Sequence, residues 1–215
     1  MDPAFWRGRW ERNEIGFHEA QANPLLVGHF PALRLAPASR IFVPLCGKTL
    51  DIHWLLSRGH QVAGAELSQI AVQQLFADLG VTPSVRSQGN TTRYSAAGID
   101  IFQGDMFELS RGELGAVHAI YDRGALIALP DAMRSRYGPH LAQLTDRAIQ
   151  LVITVNYDQQ LLTGPPFSVP GNELARLYHE AYQPTLLGST DVAGGLKGKC
   201  PATEQVWLLR PLKLA

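Results

Sequence analysis

Hydrophobic and polar positions alternate along the chain in blocks that predict strands and helices in turn. "RIFVPL" (40–45) is a short apolar, β-branched run of the kind a fully buried strand carries. "TLDIHWLLSRG" follows, with Leu50, Trp54 and Leu55 on one helical face, Thr49 as N-cap and Gly59 as stop. "QVAGAE" predicts a second strand. "LSQIAVQQLFADLG" predicts a helix with apolar Leu67, Ile70, Val72, Leu75, Phe76 and Leu79, and "GIDIFQGD" a third strand. The alternation continues through "AVHAIYD" (116–122) as strand, "RSRYGPHLAQL" within a helix, "AIQLVITV" (148–155) as strand and "NELARLYHEAY" as helix. "PTLLGS" and "ATEQVWLLRP", joined through "VAGGLKGKCP", then predict a hairpin. The fold class is α/β: a doubly wound, mostly parallel, Rossmann-like sheet of seven strands with a C-terminal antiparallel hairpin. Residues 1–36 predict an N-terminal helical cap on a core spanning 37–215, all within a single domain, 1–215.

Composition narrows the partners. Nineteen basic residues balance nineteen acidic ones, so the net charge offers no attraction to nucleic acid or an anionic membrane. Residues 1–30 lack an apolar h-region and no run is long enough to span a bilayer, which predicts a cytoplasmic location. Cys46 and Cys200 have no disulfide or metal spacing and are expected as free thiols; the seven histidines include no H-x-x-x-H pair, so no metal is expected.

In a sheet of this class, chemistry belongs to the turns at the carboxyl ends of the strands. The first turn, Leu45-Cys46-Gly47-Lys48-Thr49, ends like a P-loop, but the position where that loop needs its first glycine is Phe42. A dinucleotide turn would carry three glycines, and here Gly47 stands alone. Glu66, however, closes the second strand nineteen residues after Gly47, near the offset at which a carboxylate accepts from a ribose diol. The alternative is a Glu66 that caps the next helix or faces solvent. A nucleoside without pyrophosphate fits the pattern, and S-adenosylmethionine is such a molecule. After the third strand, Asp105, Met106 and Phe107 are placed to read and cover an adenine, or else to form an N-cap with two core residues. After the fourth, Asp122 and Arg123 stand at the centre of the expected crevice, unless Arg123 is a structural ion-pair partner.

Taken together, "FWRGRW", "IGFHEAQANPLL", "FVPLCGKTLDIHWLLSRGHQVAGAELS", "YDRGAL" and "GPPFSVP" resemble the thiopurine S-methyltransferase family over essentially the whole chain, its bacterial members above all. The resemblance implies a class I methyltransferase fold and S-adenosylmethionine as methyl donor, with S-adenosylhomocysteine as product. It implies cofactor contacts at Trp10, Leu45, Glu66 and Arg123, with the lean "PLCGKT" turn holding the methionine end. Trp6 and Trp10 share a face if "PAFWRGRWERN" is helical; Trp6 reads as a core anchor and Trp10, by the resemblance, as part of a lid.

The expected reaction is in-line attack of a heteroaromatic thiol, such as a thiopurine, or of a selenium or tellurium centre, on the sulfonium methyl. Arg123 would stabilise the thiolate, Asp122 is the fallback proton acceptor, and Phe167 would stack on an aromatic acceptor, though the prolines of "GPPF" can equally do no more than stiffen a turn. The chain is expected to act as a monomer on a small molecule. A nicotinamide-dependent oxidoreductase and a non-catalytic nucleoside-binding module are the alternatives.

Overall fold

The computed structural model describes residues 3–15 and 18–213; Gly16 and Phe17 of the "IGFHEAQANPLL" motif lie outside the described residues. In chain order the strands are β1 (Arg40–Val43), β2 (Gln61–Glu66), β3 (Ser84–Gln88), β4 (Thr91–Ala96), β5 (Ile99–Gln103), β6 (Ala119–Arg123), β7 (Ile149–Tyr157), β8 (Tyr182–Asp191) and β9 (Ala202–Pro211). The helices are α1 (Pro3–Glu11), α2 (Pro24–His29), α3 (Leu50–Ser57), α4 (Gln69–Asp78), α5 (Arg111–Leu114), α6 (Asp131–Leu144) and α7 (Gly171–Tyr178). Among the described residues no helix is long and apolar enough to cross a membrane.

The strands form one sheet in the order β3-β4-β5-β2-β1-β6-β7-β9-β8. The five central strands, β5 to β7, run parallel, while β4 and β9 pair antiparallel to their neighbours at either side. The sequence pattern predicts seven strands and the structure has nine among the described residues. The additional hairpin, β3 and β4 around Gly89-Asn90, is polar, and β3 is exposed along nearly its whole length, so it carries no apolar alternation to reveal it. The helix through "NELARLYHEAY" also stops at Tyr178, and Tyr182 already opens β8.

Strand alternation builds a large apolar core on each face of the sheet. Phe42, Ala63, Phe102 and Val152 face α6 and α7 through Tyr137, Leu141, Leu174 and Tyr178. Ile41, Val43, Ile101, Tyr121 and Leu151 face α2, α3 and α4 through Leu26, Ile52, Leu55, Leu75 and Phe76. On α3 the buried positions are Asp51, Ile52 and Leu55; Leu50 and Trp54 are only half-buried, so the buried face is rotated by about one residue from the expected one. Thr49 caps α3 by accepting from the Asp51 N–H at 3.3 Å, and Gly59 ends it at φ +79°.

The crossovers after β1 and β2 lie on one side of the sheet and those after β5 and β6 on the other. The order in which strands are added to the sheet therefore reverses between β1 and β6, which opens a crevice beyond their carboxyl ends.

Candidate active site

Glu66 ends β2 and turns its carboxylate inward, with 6% exposure. One oxygen accepts from the Gly47 N–H at 2.7 Å and the other from the Ser68 N–H at 2.7 Å. Burial pushes its pKa up, and the N–H donors of Ser68, Gly47 and Leu67 oppose that rise. Each carboxylate oxygen has a second lone pair, so the group can accept two more hydrogen bonds, the number a vicinal diol donates. Glu66 does not cap α4; Ser68 does, accepting from Ala71.

The turn after β1 is bent by two left-handed residues, Leu45 at φ +45° and Gly47 at φ +53°. Only the second is glycine, and the reason is local. A Cβ there would lie 3.1 Å from Cζ2 of Trp10, whose indole is 5% exposed and closes on the turn from α1. Trp10, Leu45, Gly47 and Glu66 thus meet at one place. The remaining residues of "GKT" go elsewhere: Lys48 pairs with Asp78 at 3.4 Å and Thr49 caps α3, which leaves no P-loop.

Beside this turn, the end of β5 is tied to β2 by the Gly104 N–H donating to the Glu66 carbonyl at 2.9 Å. Asp105 is exposed and accepts from the Phe107 N–H at 2.9 Å, capping a short 3-10 helix, Met106–Glu108. The Met106 side chain is buried in the α6 core. Phe107 is half-buried against His140, 5.3 Å between ring centroids, with the Arg136 guanidinium 4.9 Å over its ring. At this turn Asp105 and Glu108 are exposed, while the two apolar side chains are engaged by α6.

At the end of β6 the neighbours Asp122 and Arg123 part. Asp122 is fully buried; it accepts from Tyr137 Oη at 2.7 Å and from the Leu126 N–H at 3.1 Å. Burial raises its pKa to about 6, against the pull of those donors. The carboxylate of Asp122, the fallback proton acceptor of the sequence analysis, points into the α6 core and pins the "DRGAL" turn from below. Arg123 lies on the opposite face, partly buried, and its guanidinium pairs with Glu19.

Phe167 follows two cis peptide bonds, Gly164–Pro165 and Pro165–Pro166. Its N–H donates to the Ile127 carbonyl at 2.6 Å, and its ring lies 5.6 Å from the Arg134 guanidinium and folds over Gly164. It belongs to the wall beyond β6 and β7.

The sequence reading passed over a set of polar residues at this end of the sheet. Glu19, Asn23 and Asp51 reach Arg123 and Tyr121 across the crevice, and Glu204 on β9 lies close enough for Arg123 to oppose the rise that burial causes in its pKa. Glu19 and Arg123 are 104 residues apart in the chain, so no local pattern links them.

A family model described as Thiopurine S-methyltransferase matches residues 1–209. A protein of Xanthobacter autotrophicus named thiopurine S-methyltransferase is 58% identical over 97% of this chain and 99% of its own length. One of Gluconobacter oxydans with the same name is 51% identical over 97% of this chain and 94% of its own. Among solved structures, a SAM-dependent methyltransferase from Anabaena variabilis aligns with a TM-score of 0.66 at 15% identity, covering 97% of this chain and 95% of that one. The Burkholderia thailandensis 1,6-didemethyltoxoflavin-N1-methyltransferase, solved with S-adenosylhomocysteine, aligns with a TM-score of 0.65 at 14% identity, covering 97% and 87%. These two carry the fold.

Proposed function

We infer the acceptor and the roles of the residues from one premise: the chain belongs to the thiopurine S-methyltransferase family and is an S-adenosylmethionine-dependent methyltransferase. The acceptor is a heteroaromatic thiol of the thiopurine kind, and the same preference for a soft nucleophile extends to selenium and tellurium centres. A formal net charge of zero supports a small diffusible acceptor over nucleic acid.

The residues present fit the cofactor. Glu66 has the free lone pairs a ribose diol needs and stands at the crevice where the sheet reverses. That observation carries the reading, because a phosphate-bearing nucleotide would need the N–H-rich glycine turn that "PLCGKT" lacks. Leu45 and Gly47 would hold the methionine end along the bent turn, Trp10 would cover it, and Asp105 with the Met106–Phe107 backbone would edge the adenine. When bound, S-adenosylmethionine supplies a sulfonium methyl that a soft nucleophile takes up.

The chain's own contribution is to bind, orient and dry the site. Trp10 and the segment after it exclude water, so that charges in the crevice act at lower dielectric. Arg123, at the strand end, favours an ionised sulfur over the neutral thiol and lowers the thiol pKa. A heteroaromatic thiol needs no dedicated base under those conditions, in keeping with an Asp122 turned into the core. Phe167 and the "GPPF" wall bound the acceptor side.

The test is methyl transfer from labelled S-adenosylmethionine to 6-mercaptopurine, with its oxo and amino counterparts alongside. A labelled thioether from the thiol alone is expected. Label on nitrogen or oxygen, or none on the thiol, would overturn the assignment.

A further inference from the structure

A closed ring of polar contacts joins the N-terminal segment to the end of β6. Arg123 pairs with Glu19, and both Glu19 oxygens accept from Asn23 Nδ2, at 3.3 and 3.2 Å. The Asn23 N–H donates to Asp51 Oδ1 at 2.7 Å, and Asp51 Oδ2 accepts from Tyr121 Oη at 3.0 Å. Tyr121 stands two residues before Arg123 on the same face of the same strand, which closes the ring. Asn23 is itself immobilised, because its Oδ1 caps α2 by accepting from Leu25 and Leu26 at 2.9 and 3.4 Å. Seen from the chain, the segment between α1 and α2 is fastened at both ends: Trp10 on the Gly47 turn after β1, and Glu19 with Asn23 on β6 and α3.

We propose that Glu19 is a positioning residue for methyl transfer, fixing the Arg123 guanidinium and the covering segment in one contact. The proposal rests on the reading that Arg123 faces the reacting sulfur. An arginine side chain loses much rotamer freedom when held, so a partner already rigid in the protein spares the reaction that ordering. Glu19 is such a partner, and at 37% side-chain exposure against 17% for Arg123 the pair is neither fully solvated nor sealed. Without it Arg123 has a competing carboxylate: Glu204, half-buried on β9, one strand beyond β7, is close enough to feel its charge. His18 also lies near the guanidinium; burial, Lys48 and Arg123 push its imidazole pKa down, against Asp78 and Glu19. Glu19 therefore decides which carboxylate Arg123 answers to, and with that where its positive charge sits.

The experiment is a double-mutant cycle of Glu19→Ala and Arg123→Ala in the full chain, with Glu19→Asp as the conservative variant. The readouts are kcat and KM for a thiopurine, the S-adenosylhomocysteine Kd and the thermal midpoint. Glu19→Ala is expected to lower kcat about tenfold or more, the size of effect that misplacing a catalytic group produces, while the cofactor Kd moves by less than about threefold. Glu19→Asp should recover part of the loss, and the double variant should be no slower than Arg123→Ala alone. A kcat unchanged in Glu19→Ala while Arg123→Ala is impaired would overturn the proposal, as would losses that multiply in the double variant. Full activity of Arg123→Ala would overturn both this proposal and the reading of Arg123 beneath it. A purely structural Glu19 would lower the thermal midpoint and leave kcat alone, which also contradicts it.

Discussion

Asp122 makes the fold's stability depend on pH in an unusual direction. Its carboxyl is fully buried, and burial outweighs the donors from Tyr137, Leu126 and Ala125, raising the pKa from 3.8 to about 6. The native state therefore holds a proton that the unfolded chain releases near pH 4. Between about pH 4 and pH 6 the native state binds more protons, so stability from this group is full below that window and is lost as pH rises through it. At 1.36 kcal/mol per pKa unit the loss comes to about 3 kcal/mol. Urea denaturation followed by circular dichroism at steps from about pH 4 to pH 7, on the wild type and Asp122→Asn, isolates the term, because other carboxylates cancel in the difference. The asparagine also faces the Leu126 N–H with a donor it cannot use, but that cost is a constant offset. The wild type should lose about 3 kcal/mol relative to the variant across the window. A difference that stays flat, or that grows in favour of the wild type as pH rises, would mean the three donors outweigh burial and the reasoning fails.

Gly47→Ala should cost about 1–2 kcal/mol for its left-handed φ of +53° and push the Trp10 indole off the turn; calorimetry should show weaker cofactor binding and fluorescence a more solvated tryptophan. Tyr121→Phe leaves Asp51 Oδ2 without its donor at a fully buried site, and denaturant unfolding should show a loss of about 1–3 kcal/mol. Lys48→Met removes only a partly exposed pair with Asp78, so stability should shift by less than about 1 kcal/mol and cofactor affinity should hold. A marked loss of cofactor affinity in that variant would reopen a phosphate role for the "GKT" turn.

The buried parallel strands were readable because burial on both faces leaves continuous apolar runs such as "RIFV" and "QVAGA", and the helices because Thr49 and Gly59 punctuate α3. The β3–β4 hairpin was not, since its exposed residues carry no core-facing pattern; only the Gly89-Asn90 dipeptide marks it. Glu66 and Gly47 were legible as a pair because their spacing is fixed by one βαβ unit, which puts them 2.7 Å apart. The direction of Asp122 was not legible, because successive residues of a strand face opposite sides and the sequence does not say which side is the core. The Arg123–Glu19–Asn23–Asp51–Tyr121 ring, assembled from three separate parts of the chain, has no sequence signature at all.

Isothermal titration with S-adenosylmethionine and S-adenosylhomocysteine, with NADH and ATP as controls, on the wild type and Glu66→Ala, tests the central claim most directly. Binding of the sulfonium pair alone, weakened at least about tenfold by loss of the diol-accepting carboxylate, is the predicted result. Binding of NADH or ATP, or a sulfonium affinity indifferent to Glu66, would contradict it.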